Sequence, residues 1–336
     1  MERRPLGATG ATVSRLGLGT LTWGRSTGEE DAGQQLRAFV DAGGSLVATA
    51  DAYGDGASET LLGKLIGDPG LRSELFICTK AGRRHGTTRS VDTSRNWLLE
   101  AIDASLARLG VDHVDLWLLE AGDDQTPLDE SLGTLAEVVR SGRARYAGLC
   151  DLPGWQLASA ASRATQPPHH LAIAVAQYEY SLLQRGIEAE AMPACMAYGI
   201  GILPWAPLGR GVLTGKYRHG TPPDSRGASE SHGPAVRAYL GERHRRVVEG
   251  VARAAEGLGV TPAEIAIAWV RDRPGVVAPL LGARTVHQLR TALAGDSLDL
   301  PSEIRSALDE VSAPEIGYPA ALREGGAWAP ATSTES

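Results

Sequence analysis

Tyr53, Lys80 and Glu120 are the residues of this chain whose types and settings could move protons. Tyr53 follows Thr49-Ala50-Asp51-Ala52. Lys80 closes the apolar segment Phe76-Ile77-Cys78-Thr79-Lys80, and Glu120 closes Asp115-Leu116-Trp117-Leu118-Leu119-Glu120. Short apolar runs of this kind read as buried strands, so a phenol, an amine and a carboxyl stand at three strand ends. An ammonium near a phenol favours the phenolate, so Lys80 is expected to lower the Tyr53 pKa and make it a better proton relay at neutral pH. The same residues also read as a solvated lysine, a capped loop and a structural tyrosine, and spacing by itself does not choose.

The elements that must position them alternate along the whole chain. Candidate strands are Arg15–Gly19, Leu46–Thr49, Leu75–Thr79, Val114–Leu119, Arg145–Leu149, Ile173–Ala176, Ile200–Pro204 and Val276–Leu280. Between them lie segments of helical spacing: Asp31–Asp41, Thr93–Leu109, Leu128–Val139, Trp155–Ser162, Glu188–Ala197, Glu242–Ala255 and Val286–Leu293. An extra helix is expected at Thr261–Arg271, where Thr261, Pro262 and Glu264 make a capping box. Strands separated by helices pair in parallel through right-handed crossovers. Eight such units predict a closed (β/α)8 TIM barrel over residues 1–318, with sites at the strand C-termini. The first fourteen residues are expected to form a hairpin closing the barrel bottom. Gly209–Gly241 reads as a long loop, and the Gly/Pro/Ser/Thr-rich stretch 319–336 as a disordered tail.

Composition bounds the function classes. Hydrophobic residues make up 43% and charged ones 22%, enough apolar material for a core of this size. The net charge of −7 argues against a general nucleic-acid surface, and no stretch approaches the ~20 apolar residues of a membrane helix. The start of the chain lacks an apolar run of signal-peptide length. Cys78, Cys150 and Cys195 show no metal-ligand spacing and read as reduced, buried thiols of a cytoplasmic protein, with no metal expected. A small-molecule substrate is the expected partner, with no nucleic acid and no membrane. Oligomeric state stays open.

Four motifs go further. They are Tyr53-Gly54-Asp55-Gly56-Ala57-Ser58-Glu59 with Leu61-Leu62-Gly63, Gln177-Tyr178-Glu179-Tyr180-Ser181-Leu182-Leu183, Leu203-Pro204-Trp205-Ala206-Pro207-Leu208-Gly209-Arg210-Gly211-Val212-Leu213-Thr214-Gly215-Lys216-Tyr217, and Gly282-Ala283-Arg284-Thr285 with Gln288-Leu289. In this order and spacing they resemble the aldo-keto reductase superfamily. The resemblance implies a (β/α)8 barrel that binds NADPH in extended form and transfers hydride to a carbonyl, with Tyr53 as proton donor. It implies that Gln177 holds the carboxamide, with Cys150 and Asp151 where a Ser-Asn pair is expected. Trp205 would stack on the nicotinamide. Leu208, Gly209, Gly211 and Leu213 would line the pyrophosphate, with Arg210 and Lys216 adding charge. Arg284 and Gln288 would meet the 2′-phosphate and adenine, where Thr291 and Ala292 replace an expected acidic residue and asparagine.

The resemblance also implies an aspartate–tyrosine–lysine–histidine tetrad, of which Tyr53 and Lys80 match while Ala48 and Glu120 do not. A glutamate at the histidine position is similar to the steroid 5β-reductase branch, which acts on a conjugated C=C bond. A protonated Glu120 can donate to a carbonyl oxygen, whereas an ionised one repels developing negative charge. Alternatively, Glu120 is the counter-ion of Lys80, with Asp51 a second candidate. Three functions follow: an NADPH-dependent oxidoreductase for a carbonyl or activated C=C, a nucleotide-binding sensor or partner subunit similar in role to the family's ion-channel β subunits, and a non-redox dehydratase or cyclase. Apolar residues of Gly209–Gly241 and Ala313–Tyr318, with Trp23, are expected to shape the substrate pocket.

Overall fold

A computed structural model describes residues 1–67, 69–84, 86–120, 122–230, 232–315 and 317. The expected tail 319–336 and Tyr318 lie outside the described residues. Strands β1 (Arg3–Pro5) and β2 (Thr12–Ser14) form the antiparallel hairpin expected at the start. Eight parallel strands follow: β3 (Gly17–Gly19), β4 (Leu46–Ala48), β5 (Phe76–Ala81), β6 (Val114–Glu120), β7 (Ala144–Cys150), β8 (Ile173–Glu179), β9 (Gly201–Trp205) and β10 (Leu280–Gly282). Each pairs with its sequence neighbour, and β10 returns to pair with β3. The ring closes between β9 and the segment before β10, where Ile202 donates to the Gly275 carbonyl at 2.9 Å and Val277 donates to Ile202 at 2.8 Å. This is the (β/α)8 barrel that the alternation predicts.

Side chains alternate between two cores, as a period-2 pleat requires. Leu46, Ala48, Cys78, Leu116, Leu118, Cys150, Val175 and Leu203 fill the barrel interior, joined from the hairpin by Leu6 and Val13. The other faces, including Val47, Ile77, Trp117, Leu119 and Leu149, pack beneath the helices. Gly7 lets the hairpin seat closely. Its φ is +58°, and a Cβ there would stand 2.2 Å from the Ala174 carbonyl oxygen.

Three expectations need correction. The eighth strand is Leu280–Gly282, not Val276–Leu280. A parallel ladder uses alternate N–H groups, and after Val277 the next alternate residue is Pro279, which has none. Pro279 instead offers its carbonyl to Gly17 at 2.9 Å, and pairing continues on the β3 side. The helix expected over Glu188–Ala197 splits into a 3₁₀ turn at Gly186–Glu188 and a helix at Ala191–Ala197, because Pro193 is tolerated only in a first turn. The segment Gly209–Gly241 is not bare loop: it holds 3₁₀ turns at Gly209–Thr214 and Arg226–Ala228 and a short helix at Gly233–Arg237. The capping box at Thr261 forms, with Glu264 returning to the Thr261 N–H at 2.8 Å.

The helix Ala57–Leu65 carries the fastening that matters most for the site. Ser58 Oγ lies 3.0 Å from Thr49 Oγ1 and donates to the Thr20 carbonyl at 2.9 Å. Glu59 is fully buried; it accepts from Thr79 Oγ1 at 2.5 Å and from Arg108 Nε at 2.7 Å. These contacts tie the turn holding Tyr53 to the ends of β3, β4 and β5. Removing one partner of a buried charge pair strands the other, at a cost of about 3–5 kcal/mol. Glu59→Ala is therefore expected to lower unfolding stability by roughly 3 kcal/mol in urea titration.

Candidate active site

Strand register builds the site. In the ladders Lys80 pairs with Leu118, Glu120 with Cys150, and Cys150 with Gln177. Lys80 points inward two residues beyond Cys78, and Glu120, Cys150 and Gln177 line up across three neighbouring strands. Tyr53 reaches the same place from the turn after β4, held by its N–H to the Ala50 carbonyl at 3.2 Å and by Ser58 N–H to its own carbonyl at 3.2 Å.

Lys80 Nζ donates to the Tyr53 hydroxyl oxygen at 2.7 Å and to the Thr49 carbonyl at 3.4 Å. Lys80 is only 3% exposed. Burial alone would lower its pKa, but the Tyr53 hydroxyl and the Glu120 charge outweigh burial and raise it, so the ammonium persists. The Tyr53 pKa is raised as well. Burial dominates, and Lys80 pulls it down by less. This corrects the expected lowering: at neutral pH the pair is a phenol beside an ammonium. Because the lysine donates to the phenolic oxygen, the phenol's own hydrogen is left free for another acceptor.

The carboxyl groups are arranged otherwise than expected. The partner in contact with Glu120 is Arg83, whose Nε donates to Oε1 at 3.0 Å, not Lys80. Oε2 of Glu120 is buried without a hydrogen-bond partner among the described residues. Asp51 makes no ion pair with Lys80 among the described residues. Its backbone N–H donates to the Lys80 carbonyl at 3.1 Å, and its Oδ1 is buried without a partner. Ala48 contributes a methyl group to the barrel interior.

A second cluster continues toward β9. Trp205 Nε1 donates to Asp151 Oδ1 at 3.0 Å, and the Cys150 thiol lies 3.5 Å from Asp151 Oδ2 and 3.6 Å from Gln177 Oε1. Burial pushes the Asp151 carboxyl up and the Cys150 thiol well up. Gln177 Nε2 is a buried donor with no partner among the described residues. Donor atoms of Glu120, Cys150 and Asp151 lie within 4.8 Å of one another. With Arg83 on Glu120 and Lys80 nearby, that corner already holds its positive charge and reads as a polar pocket wall.

The loop after β9 supplies cations. The chain turns from Leu208 at φ −92° into Gly209, Arg210 and Gly211 at φ +53°, +58° and +90°. In this turn the Gly209 N–H donates to the Ala206 carbonyl at 2.8 Å, and the Gly211 and Leu213 N–H groups donate to the Leu208 carbonyl at 3.0 and 3.1 Å, so these three are spent within the loop. Arg210 does not add free charge as expected: its guanidinium is bound to Glu179 at 3.0 and 2.9 Å and lies 5.1 Å from the Trp205 ring. Lys216 has no ion-pair partner among the described residues, and a Cβ on Gly211 would stand 3.2 Å from its Nζ. Arg284 and Gln288 sit at the start of the helix Val286–Ala294, where the Gln288 side chain accepts from the Arg284 N–H at 3.0 Å.

Sequence reasoning missed two residues. Arg83 is one; its bond to Glu120 spans 37 positions of sequence. Arg226 is the other. Its guanidinium has no hydrogen-bond or ion-pair partner among the described residues, and burial, then Arg210 and Arg284, lower its pKa. The positive fields of Arg210 and Arg284 at this guanidinium suit an anion. The only sequence signal was an arginine within Ser225-Arg226-Gly227 of a Gly-rich stretch. One expected pocket residue drops out: Trp23 is fully buried and donates to Gln35 at 3.0 Å, so it is core. Ala313 lines a hollow with Arg243, Arg246 and Glu310 that shares no lining residue with the Tyr53 site.

The aldo/keto reductase family model matches residues 15–313. The chain belongs to the aldo/keto reductase family. It is 33% identical to a Bacillus subtilis protein described as an uncharacterized oxidoreductase, YrpG, over 93% of this chain and 96% of that protein. It is also 33% identical to a probable voltage-gated potassium channel subunit beta of Oryza sativa, over 86% of this chain and 89% of that one. A putative subunit of the same kind from Schizosaccharomyces pombe matches at 33% over 92% of each. The chain is thus an oxidoreductase of this family, related to channel beta subunits. No helix among the described residues is long and apolar enough to cross a membrane.

Asp51 gives a stability test. Burial, then the charges of Glu59 and Glu120, push its carboxyl from 3.8 up to about 7 against the opposing pull of Lys80. A raised carboxyl pKa means that stability is fully present below the unfolded value and is lost as pH rises through about 7. A gap of that size corresponds to roughly 4 kcal/mol. Asp51→Asn is expected to match the wild type in urea unfolding near pH 3.5 and to exceed it at pH 8.

Proposed function

We propose that this family member is an NADPH-dependent oxidoreductase that reduces a carbonyl, or an activated C=C, of a small molecule. The observation that carries the reading is the Lys80-to-Tyr53 hydrogen bond of 2.7 Å, which presents a phenol with its proton free. The residues fit a nicotinamide dinucleotide phosphate. Gln177 Nε2 offers a buried, unused donor to a carboxamide oxygen, and the Asp151 carboxylate an acceptor to its NH₂. Arg226, Arg284 and Lys216, which make no ion pair among the described residues, offer cations for phosphates, a guanidinium being suited to a phosphate fork. The expectation that Arg210 joins them is replaced by a positioning role, holding Glu179 beside Trp205. A reduced dinucleotide bound there would supply hydride.

Tyr53 gives its proton to the substrate oxygen, and the adjacent Lys80 ammonium stabilises the phenolate left behind. Glu120 Oε1 already accepts from Arg83 Nε at 3.0 Å, a setting that suits an acceptor rather than a donor to the substrate oxygen and favours a carbonyl over the enone reading. Its free Oε2 would accept from a donor on the substrate, such as a hydroxyl beside the carbonyl.

NADPH binding is measured by fluorescence quenching, and NADPH consumption with panels of aldehydes and enones. Tyr53→Phe is expected to retain binding and lose turnover by about 10²–10⁴-fold; full activity removes Tyr53 as proton donor. Glu120→Gln removes a negative charge from the oxygen site, so carbonyl turnover is expected to rise about 10-fold; a fall instead identifies Glu120 as a protonated donor. A second reading follows from the rice and yeast relatives: a nucleotide-binding partner subunit. NADPH binding without consumption on either panel selects it.

A further inference from the structure

Arg83 is a cation at the edge of the site with only part of its guanidinium engaged. The chain leaves β5 through Gly82 at φ +136°, where a Cβ would stand 2.3 Å from the Glu120 carbonyl oxygen. That close crossing carries Arg83 over the end of β6. Its backbone bridges Val91, and the Arg84 and Asp92 N–H groups donate to the Ser90 and Gly82 carbonyls at 2.9 and 2.8 Å. Arg83 Nε then donates to Glu120 Oε1 at 3.0 Å. A guanidinium carries five N–H bonds in a flat fork, and one of them is used here. Neither Nη of Arg83 has a hydrogen-bond partner among the described residues.

Neighbouring cations are engaged with acids of their own. Arg84 is bound to Asp92 at 3.1 Å, Arg89 to Asp123 at 2.5 Å and Arg108 to Glu59 at 2.7 Å. Arg83 lines a cavity of about 420 Å³ with Asp51, Ala52 and Trp97, and the exposed Asp55 and Thr87 on its wall open it to solvent. The Arg83 side chain is 46% exposed and that of Glu120 only 9%, so the free edge of the fork is the open one. Glu120 ties this fork to the reacting centre. It stands two residues beyond Leu118, the ladder partner of Lys80, and its charge acts on both Lys80 and Tyr53. Its carboxylate also lies within 4.8 Å of the Cys150 and Asp151 donor atoms. A substrate whose carbonyl meets Tyr53 lies against Glu120, and the Arg83 fork begins one hydrogen bond further out.

We propose that Arg83 binds a carboxylate of the substrate, so that the carbonyl compound reduced here is an oxo acid. The inference rests on the oxidoreductase reading above. The two Nη groups match a carboxylate with parallel N–H···O bonds. Glu120 holds the plane of the fork before substrate arrives, so little freedom is lost on binding. The guanidinium separates the two carboxylates, each meeting its own edge of the cation. The balance of charge suits one negative charge rather than two. Glu120 already draws on Arg83, and Asp55 and Glu100 stand on the cavity wall, which opposes a phosphate dianion.

The test uses the full chain with NADPH. Glyoxylate, succinic semialdehyde and para-carboxybenzaldehyde, which differ in the span from carbonyl to carboxylate, are each compared with their own methyl ester. In wild type the best acid is expected to exceed its ester in kcat/KM by about 10- to 100-fold, through KM. Arg83→Met is expected to bring that ratio to about one, and Arg83→Lys, which keeps the charge but loses the fork, to an intermediate value. Losing Arg83 also leaves Glu120 to repel the acid, so the comparison is repeated in Glu120→Gln. Adding Arg83→Met there is expected to give the same fall, and a fall seen only with Glu120 present overturns the inference. Glycolaldehyde phosphate is expected to gain less than the best acid; a larger gain overturns the carboxylate. Turnover with no acid preferred over its ester, or a preference that survives Arg83→Met, overturns the inference and leaves the oxidoreductase reading standing. Calorimetry on the complex with oxidised NADP needs no turnover. Benzoate is expected to bind about 10-fold more tightly than benzamide in wild type and no better in Arg83→Met. Absence of NADPH consumption with every acid and ester sinks the oxidoreductase reading, whereas equal binding of benzoate and benzamide sinks the Arg83 site by itself.

Discussion

A buried ammonium with no carboxylate in contact governs this molecule. Lys80 sits inside the barrel mouth, where its Nζ donates to the Tyr53 hydroxyl and the Thr49 carbonyl and, among the described residues, meets no carboxylate. An ion in such a place is costly unless the surroundings favour its charge. Here the favour comes from a phenol in hydrogen-bond contact and from the field of Glu120, whose own contact is with Arg83. The balance that keeps Lys80 charged therefore depends on the position of Tyr53. That position depends on Ser58 and Glu59, which clamp the Tyr53 turn to three strand ends.

Charge is sorted across the barrel mouth. Glu120 raises the proton affinity of both members of the pair, and Asp51, Glu59 and Asp151 belong to the same acidic side. Arg210, Arg226, Arg284 and Lys216 gather on the side of the loop after β9 and on the turn that follows β10. The acidic side surrounds the proton-moving pair, and Arg226, Arg284 and Lys216 on the other side suit phosphates. A net charge of −7 for the whole chain conceals this division, because the cations are few and local.

Much of the frame was legible because its signals are local. Short apolar runs separated by helical spacing give eight strands in a ring, and Thr261-Pro262-Ala263-Glu264 announces a helix start through its own side chains. The eighth strand was misplaced by an equally local fact wrongly weighed: Pro279 ends one ladder and leaves its carbonyl to another. The helix Ser302–Val311 was not anticipated, since its start after Pro301 carries no side-chain cap. In the site, Tyr53 and Lys80 announced themselves by residue type at strand ends, but the direction of the phenol's pKa did not. It is set by desolvation, which no spacing reveals.

By itself the sequence determined the barrel, the family and the identity of the phenol and amine, because hydrophobic period and motif order are properties of neighbouring residues. The tertiary structure alone decided who answers whom across it. Arg83 rather than Lys80 meets Glu120, Arg210 is spent on Glu179, Arg226 stands unpaired, and Asp51 faces a solvent-open space. Those outcomes are contests among charges brought together from distant positions, and burial decides them by fixing how strongly each charge is felt.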